Sequence, residues 1–184
     1  MVNMELEKLA DTQIVEIILD GDKQAFAEIV NRYQHKLIVY LARLLNLNQE
    51  DAKDCLSETF IKTYQNLALF NPSLSFNSWI YRIAHNLAVD LIRKKSKFYS
   101  VDFETLPIPA QTKHQENPYK EELERVLSFM KIEDRNILTL FYLEELSLKE
   151  ISDMLKTKPN TIAVQLKRAR EKAKAIIEKK TKPN

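Results

Sequence analysis

Gly21 is the only glycine among 184 residues, and that scarcity removes whole classes of fold and function. Phosphate-cradling loops, dinucleotide fingerprints and nucleophile elbows each need several glycines, because glycine alone lets backbone approach a ligand so closely or turn so sharply. Hairpin-rich β architectures lean on glycine turns as well. What remains is a helical chain outside those nucleotide-dependent enzyme types. An apolar content of 45% suffices for a packed core, and the length allows one ordinary domain or two small ones. The lone cysteine, Cys55, cannot form an internal disulfide or a thiolate zinc cluster. No apolar run reaches the roughly 18 residues of a membrane span. The opening MVNMELEKLADTQ lacks the basic-then-apolar order of a signal peptide. The expectation is a soluble cytoplasmic protein with no metal and no cofactor.

Charge is split between the ends. Residues 1–58 carry an excess of acidic side chains, whereas 156–182 are strongly basic with only Glu171 and Glu178 in opposition. An acidic front and a basic tail suit different partners.

Helical periodicity runs in two blocks. Phe26, Ile29, Val30, Tyr33, Leu37, Leu41 and Leu44 recur at three- and four-residue spacing. Asp22 is the expected N-cap of that helix and Asp11 of a shorter one before it. Asn48 with Asp51 predicts the cap of a third helix over about 49–67. Ser75 predicts the cap of a fourth over about 76–96, after a stop at Asn71-Pro72. Residues 97–118, with Pro107, Pro109 and Pro118, read as an extended linker. A second block resumes at Leu123, Val126, Leu127 and Met130 and continues through Ile137, Leu138, Leu140 and Phe141. The fold class is therefore all-α: two small helical domains, 1–96 and 119–184, joined by a linker.

The second block ends in a recognisable unit. Ser147 and Glu150 form a capping box that opens a short helix through about Leu155. After Lys156-Thr157-Lys158, Pro159 fits the first turn of another helix, where its missing N–H costs nothing. That helix turns Ile162, Leu166, Ala169, Ala173 and Ile176/Ile177 inward and Asn160, Thr161, Val164, Lys167 and Arg168 outward, with Lys158 and Lys172 nearby. A short helix, a tight turn and a basic second helix make a helix-turn-helix, whose second helix fits the major groove while cations neutralise phosphate. A basic amphipathic helix with a solvated face would share the periodicity, but not the cap and the short turn.

Two faces of the first block also carry chemistry. On the third helix, Ala52, Leu56, Phe60 and Thr63 are expected inward, opposite Asp51, Asp54, Glu58, Ile61 and Gln65. Carboxylates around one exposed isoleucine suit docking on a basic protein surface. They do not suit a metal, because successive helical turns splay them and no histidine accompanies them. The fourth helix is expected to bury Phe76, Ile80, Ile83, Ala84, Leu87 and Leu91. Its other side would present Tyr81, Arg82, His85, Asn86, Val89 and Arg93, followed by Lys94, with Trp79 near the boundary. Rings interleaved with guanidinium groups suit single strands, which stack on aromatics while cations follow phosphates.

The ordered segments GDKQAFAEIVNRY, EDAKDCLSETFIKTY, SFNSWIYRIAHNLAVDLIRKK and LSLKEISDMLKTKPNTIAVQLKRARE resemble the extracytoplasmic-function (ECF) sigma factors of bacterial RNA polymerase, of the sigma-70 family. The resemblance covers nearly the whole chain outside the linker. It implies a four-helix region 2 whose Asp51, Asp54, Glu58, Ile61 and Gln65 dock on the clamp helices of the polymerase largest subunit. It implies that Asn71, Ser73 and Ser75 capture a flipped minus-10 base. Trp79, Tyr81, Arg82, Asn86, Arg93 and Lys94 would then read or hold the minus-10 strand. Region 4 would meet the polymerase flap and place Lys158, Asn160, Thr161, Val164, Gln165, Lys167, Arg168 and Lys172 at the minus-35 element. An anti-sigma factor is the further partner implied, and promoter DNA the ligand.

The chain departs from the family pattern at Ser57, where glutamine is usual, at Lys156, where glycine is usual, and at Ala163 and Gln165, where lysine and arginine are frequent. Gln165 retains a bidentate contact to adenine. Ala163 gives up a phosphate or base contact. The expected function is that of a dissociable specificity subunit, not an enzyme. Two rivals are a stand-alone helix-turn-helix regulator, which needs neither the acidic nor the aromatic face, and a nuclease, which needs a carboxylate–metal or nucleophile–base constellation that does not stand out.

Overall fold

The helical stripes of the sequence become helices in the computed structural model, which describes residues 6–45, 49–98, 123 and 125–181. They are α1 (Asp11–Leu19), α2 (Phe26–Leu45), α3 (Gln49–Gln65), α4 (Phe76–Phe98), α5 (Ile132–Leu138), α6 (Leu148–Leu155) and α7 (Pro159–Thr181). Among the described residues there is no strand. The expected cap at Asn48 and most of the linker, 99–118, lie outside the described residues. Helix α4 itself runs two residues past the expected boundary at 96.

Helices α1–α4 form the first body, with α2 packed on α1, α3 and α4. Ile29, Leu37, Tyr40 and Leu41 of α2 and Ile80, Ala84 and Ala88 of α4 are fully buried. An aromatic knot closes one end: Phe76 lies 5.7 Å from Tyr33, 5.2 Å from Phe70 and 5.5 Å from Trp79. Gly21, at φ +118°, makes the turn between α1 and α2 in a conformation that L side chains rarely adopt.

Two of the expected caps are placed differently. Asp22 does not cap α2 directly; its carboxylate accepts the Gln24 N–H at 3.0 Å and opens a 3₁₀ turn, Lys23–Ala25, that leads into α2. Asp11 is the first residue of α1, and the end group is served by Gln13, whose side chain accepts the Ala10 N–H at 2.8 Å. Asp11 is drawn instead to Arg32 at 2.8 Å and to the Tyr33 hydroxyl at 2.5 Å. Arg32 also donates to Glu28 and to the Leu6 and Leu9 carbonyls. One guanidinium thus ties the segment before α1 to α2, using its fork of donors.

The second body holds α5–α7. The Ser147–Glu150 capping box is present in full, with reciprocal bonds of 2.9 and 3.2 Å. Lys156 ends α6 in the left-handed conformation, φ +51° and ψ 43°. It therefore adopts a geometry that glycine takes without steric cost. Pro159 opens α7 as expected, and Ile162, Leu166 and Ala169 form its buried stripe. Helix α5 passes into a π-turn, Thr139–Leu143, closed by the Glu144 N–H on the Thr139 carbonyl at 3.0 Å. Glu145 follows at φ +54°. The periodicity of this stretch carries no sign of that turn.

Candidate polymerase and nucleic-acid interfaces

The outer face of α3 is set by what its inner face buries. Ala52, Cys55, Thr59 and Thr63 line the interior, with Leu56 and Phe60 half-buried at the flanks. The sequence expectation put Ala52, Leu56, Phe60 and Thr63 inward; Ala52 and Thr63 are buried, whereas Leu56 and Phe60 are half-buried and Thr59 takes an interior place. Thr59 and Thr63 are tolerated inside because each hydroxyl donates to a carbonyl one turn back, Cys55 O and Thr59 O, both at 2.7 Å. Burial, then Glu58 and Asp51, push the Cys55 thiol up to about 11, so it stays protonated and unreactive. Asp54, Glu58, Ile61 and Gln65 are left exposed along successive turns, with Ile61 51% accessible at their centre. Asp51 differs from them: it is half-buried and ion-paired to Lys95 of α4, so its charge is already partnered.

The loop before α4 is locally ordered by its own side chains. The Asn71 carboxamide oxygen accepts the Ser73 N–H at 3.0 Å and the Ser73 hydroxyl at 2.8 Å. Ser75 caps α4 as expected, accepting the Ser78 N–H at 3.4 Å. Asn86, Arg93 and Lys94 are exposed, Arg82 is half-buried, and Trp79 is half-buried within the aromatic knot.

Tyr81 and His85 depart from the expected outward face. Tyr81 is 1% accessible and donates its hydroxyl to Glu144, from the second body. His85 Nδ1 lies 3.0 Å from the Tyr40 hydroxyl oxygen, and burial lowers the His85 pKa to about 4, so the ring is neutral. Both side chains lie against Tyr40 of α2, whose ring is 5.1 Å from that of Tyr81, and α6 also packs on α4.

All eight of the expected DNA-reading residues, Lys158 just before α7 and Asn160, Thr161, Val164, Gln165, Lys167, Arg168 and Lys172 on it, are exposed. The sequence stripe is therefore intact. Lys167 lies 4.0 Å from Glu171, and Lys172 is ion-paired to Asp134 of α5. Gln165, Arg168 and Lys172 nevertheless look into a cleft of about 630 Å³ whose opposite wall carries His85, Val89 and Arg93 of α4.

The contacts joining the two bodies escaped sequence reasoning, although Ser75, Tyr81 and Glu150 were singled out for other roles. Arg43 of α2 reaches Glu144 at 3.3 Å, and its carbonyl accepts from Arg135 at 3.3 Å. The Tyr40 hydroxyl donates to Asn136 at 3.0 Å. Glu150 of α6 meets Ser75. Burial alone would raise the Glu150 carboxyl, but bonds from the Ser147 N–H and hydroxyl and from Ser75 bring it below its ordinary value. Each contact spans more than 60 residues, beyond the reach of any local spacing rule.

Among the described residues no cluster of three or more His, Cys, Asp or Glu is arranged for a metal ion. No described helix is long and apolar enough to cross a membrane.

Comparison with known proteins matches both bodies. The sigma-70 region 2 family covers residues 29–98 and sigma-70 region 4 covers residues 120–172. The ECF RNA polymerase sigma factor SigW of Bacillus subtilis (strain 168) is 33% identical over 165 residues, covering 82% of this chain and 88% of its own. The ECF RNA polymerase sigma-E factor of Haemophilus influenzae is 31% identical, covering 96% of this chain and 98% of its own. Two solved structures share the fold. CnrH, in complex with the cytosolic domain of CnrY, has a TM-score of 0.69 at 22% identity and covers 91% of this chain and 97% of its own. The sigma factor RpoE of Bartonella quintana, in complex with the anti-sigma factor NepR, has a TM-score of 0.61 at 14% identity and covers 81% and 98%. With both sigma regions matched in order and relatives aligned along nearly its full length, the chain belongs to the ECF sigma factors of RNA polymerase.

Proposed function

We propose that this chain binds core RNA polymerase and directs promoter-specific initiation, reading a minus-35 element with α7 and a minus-10 element with α4 and the loop before it. The observation that carries this reading is the pairing of two unlike exposed surfaces in one chain. The α3 face of Asp54, Glu58, Ile61 and Gln65 is acidic with an apolar centre, whereas the α7 face is basic and polar. The first suits the clamp helices of the largest subunit, with Asp51 joining once Lys95 releases it, and region 4 suits the flap. The second suits a major groove, with Gln165 and Arg168 at base edges and Lys158, Lys167 and Lys172 on phosphates. A regulator that acts alone has no use for the first.

Asn71, Ser73, Ser75, Trp79, Tyr81, Arg82, Asn86, Arg93 and Lys94 form the minus-10 surface in this account, within a region 2 spanning 1–96. Region 4 spans 119–184. The chain catalyses no reaction of its own: opening is driven by contacts that exist only with the melted strand, so binding energy shifts the duplex toward the open state. It acts in the cytoplasm, where polymerase is. Structural relatives solved with CnrY and NepR support an anti-sigma partner here too.

Gel-shift with and without core polymerase tests the reading against a stand-alone regulator. Sequence-selective binding should require core; equally tight selective binding by the chain alone would overturn it.

A further inference from the structure

The loop assigned to minus-10 base capture begins and ends on one cluster of rings. Phe70 precedes residues 71–75 and Phe76 follows them, with ring centroids 5.2 Å apart in edge-to-face contact. Trp79 lies 5.3 Å from the first ring and 5.5 Å from the second. Both phenylalanines are buried, whereas residues 71–74 between them are exposed. Hydrogen bonds from Ser73 to the Asn71 side chain, and from the Leu74 N–H to the Asn71 carbonyl at 3.0 Å, give the loop its own shape. Its bearing on the rest of the body is set at the two rings.

Phe76 is held in turn from α2. The Tyr33 ring meets it at 5.7 Å, and the buried Tyr33 hydroxyl donates to Asp11 at 2.5 Å. Burial, then the bond to Asp11, keeps that hydroxyl far above its ordinary pKa, so it remains a donor. The other Asp11 oxygen accepts from Arg32 at 2.8 Å, and Arg32 also binds the carbonyls of Leu6, Glu7 and Leu9. Hydrogen bonds to an ionised acceptor are about twice as strong as neutral ones. Helix α1, which Asp11 opens, packs as well on a 3₁₀ turn, Leu67–Leu69, that leads into Phe70. Both ends of the capture loop therefore trace back to the start of α1. A phenylalanine at position 33 would fill the same space, so the hydroxyl serves the link to Asp11 rather than the packing.

We propose that Asp11 and Tyr33 are positioning residues for strand opening: they fix Phe76, and with it the loop of Asn71, Ser73 and Ser75, in the bearing that receives the flipped minus-10 base. The inference rests on the minus-10 roles given above. Neither residue touches DNA in it. Opening is driven by contacts made only with the melted strand, and such contacts yield most when the receiving groups are already in place. Without the Tyr33–Asp11 bond the rings still pack, but Phe76 and the loop lose a fixed bearing and capture slows. The docking face of α3 carries none of these residues, so polymerase binding is spared.

The test uses the full chain with Tyr33→Phe and Asp11→Asn, singly and together, assembled with core polymerase on a promoter fragment found by run-off transcription with the parent. Permanganate reactivity of minus-10 thymines reports the rate of opening, and fluorescence anisotropy reports affinity for core. Circular dichroism confirms retained helix, and Asp11→Asn leaves every ring in place should Tyr33→Phe fold poorly. Each single variant should open the duplex about tenfold more slowly, the scale of one lost hydrogen bond to a charged acceptor. The double variant should be no slower than the singles, because the two residues act through one bond. Affinity for core should stay within about twofold of the parent. On a template whose minus-10 region is mismatched and already melted, initiation by the variants should return to about the parent level. Opening of the duplex at the parent rate by either single variant overturns the inference. An equal defect on the melted template, or a parallel fall in core affinity, makes the pair merely structural and overturns it too. A parent that initiates on no fragment overturns the functional reading itself.

Discussion

Lys156 bears a backbone conformation that its side chain disfavours. At φ +51° it ends α6 so that the Thr157 N–H can reach the Ser152 carbonyl at 3.0 Å, while the Ser152 hydroxyl donates to the Thr157 carbonyl. Left-handed geometry costs a non-glycine residue about 1–2 kcal/mol, and glycine gives back part of that through its larger unfolded-state entropy. Lys156→Gly should therefore raise stability by about 0.5–1 kcal/mol, read from denaturant midpoints; a loss of stability would show that the lysine stem contributes contacts that outweigh the strain. The same residue shows what sequence could and could not tell. The short connection before Pro159 marked the turn, yet the lysine hid its glycine-like shape. Asp11 is a comparable case: its type suggested a cap, whereas Arg32, more than twenty residues away, claims its carboxylate.

At the scale of elements, helices were legible wherever one partner decided the buried face. The α7 stripe and the Ser147–Glu150 box are local patterns, and the structure repeats them. Helix α4 was half legible because it has two partners. Phe76, Ile80 and Ala84 face the first body as expected, while Tyr81 and His85 are claimed by residues that no periodicity could bring near. This packing gives α2 and α4 a pH dependence. His85 sits against Tyr40 in a neutral state, and its cleft also holds Glu133, Asp134, Arg93, Arg168 and Lys172. Burial lowers its pKa from 6.5 to about 4. A depressed value means that the stabilisation is complete above the unfolded value near 6.5 and is lost as pH falls toward 4. Between pH 7 and pH 5 the loss should be about 1–2 kcal/mol. Thermal unfolding across that range checks this, with His85→Asn as the control: a variant that keeps the full slope would assign it to the carboxylates instead.

For the whole molecule, the two-body architecture and its order along the chain were readable, because each body has its own stripes and a proline-rich interruption separates them. The mutual packing was not, since Arg43–Glu144 and Tyr40–Asn136 join positions about a hundred residues apart. Those contacts account for the burial of Tyr81 on α4, whereas Asp54, Glu58, Ile61 and Gln65 of α3 stay exposed. Run-off transcription on genomic fragments, with core polymerase and either the parent chain or its Asp54→Lys/Glu58→Lys variant, addresses the proposed function most directly. The parent should initiate at discrete sites, and the variant, with its helical content unchanged, should lose those transcripts together with affinity for core. Discrete transcripts at undiminished yield from the charge-reversed chain, or none from the parent, would contradict the account.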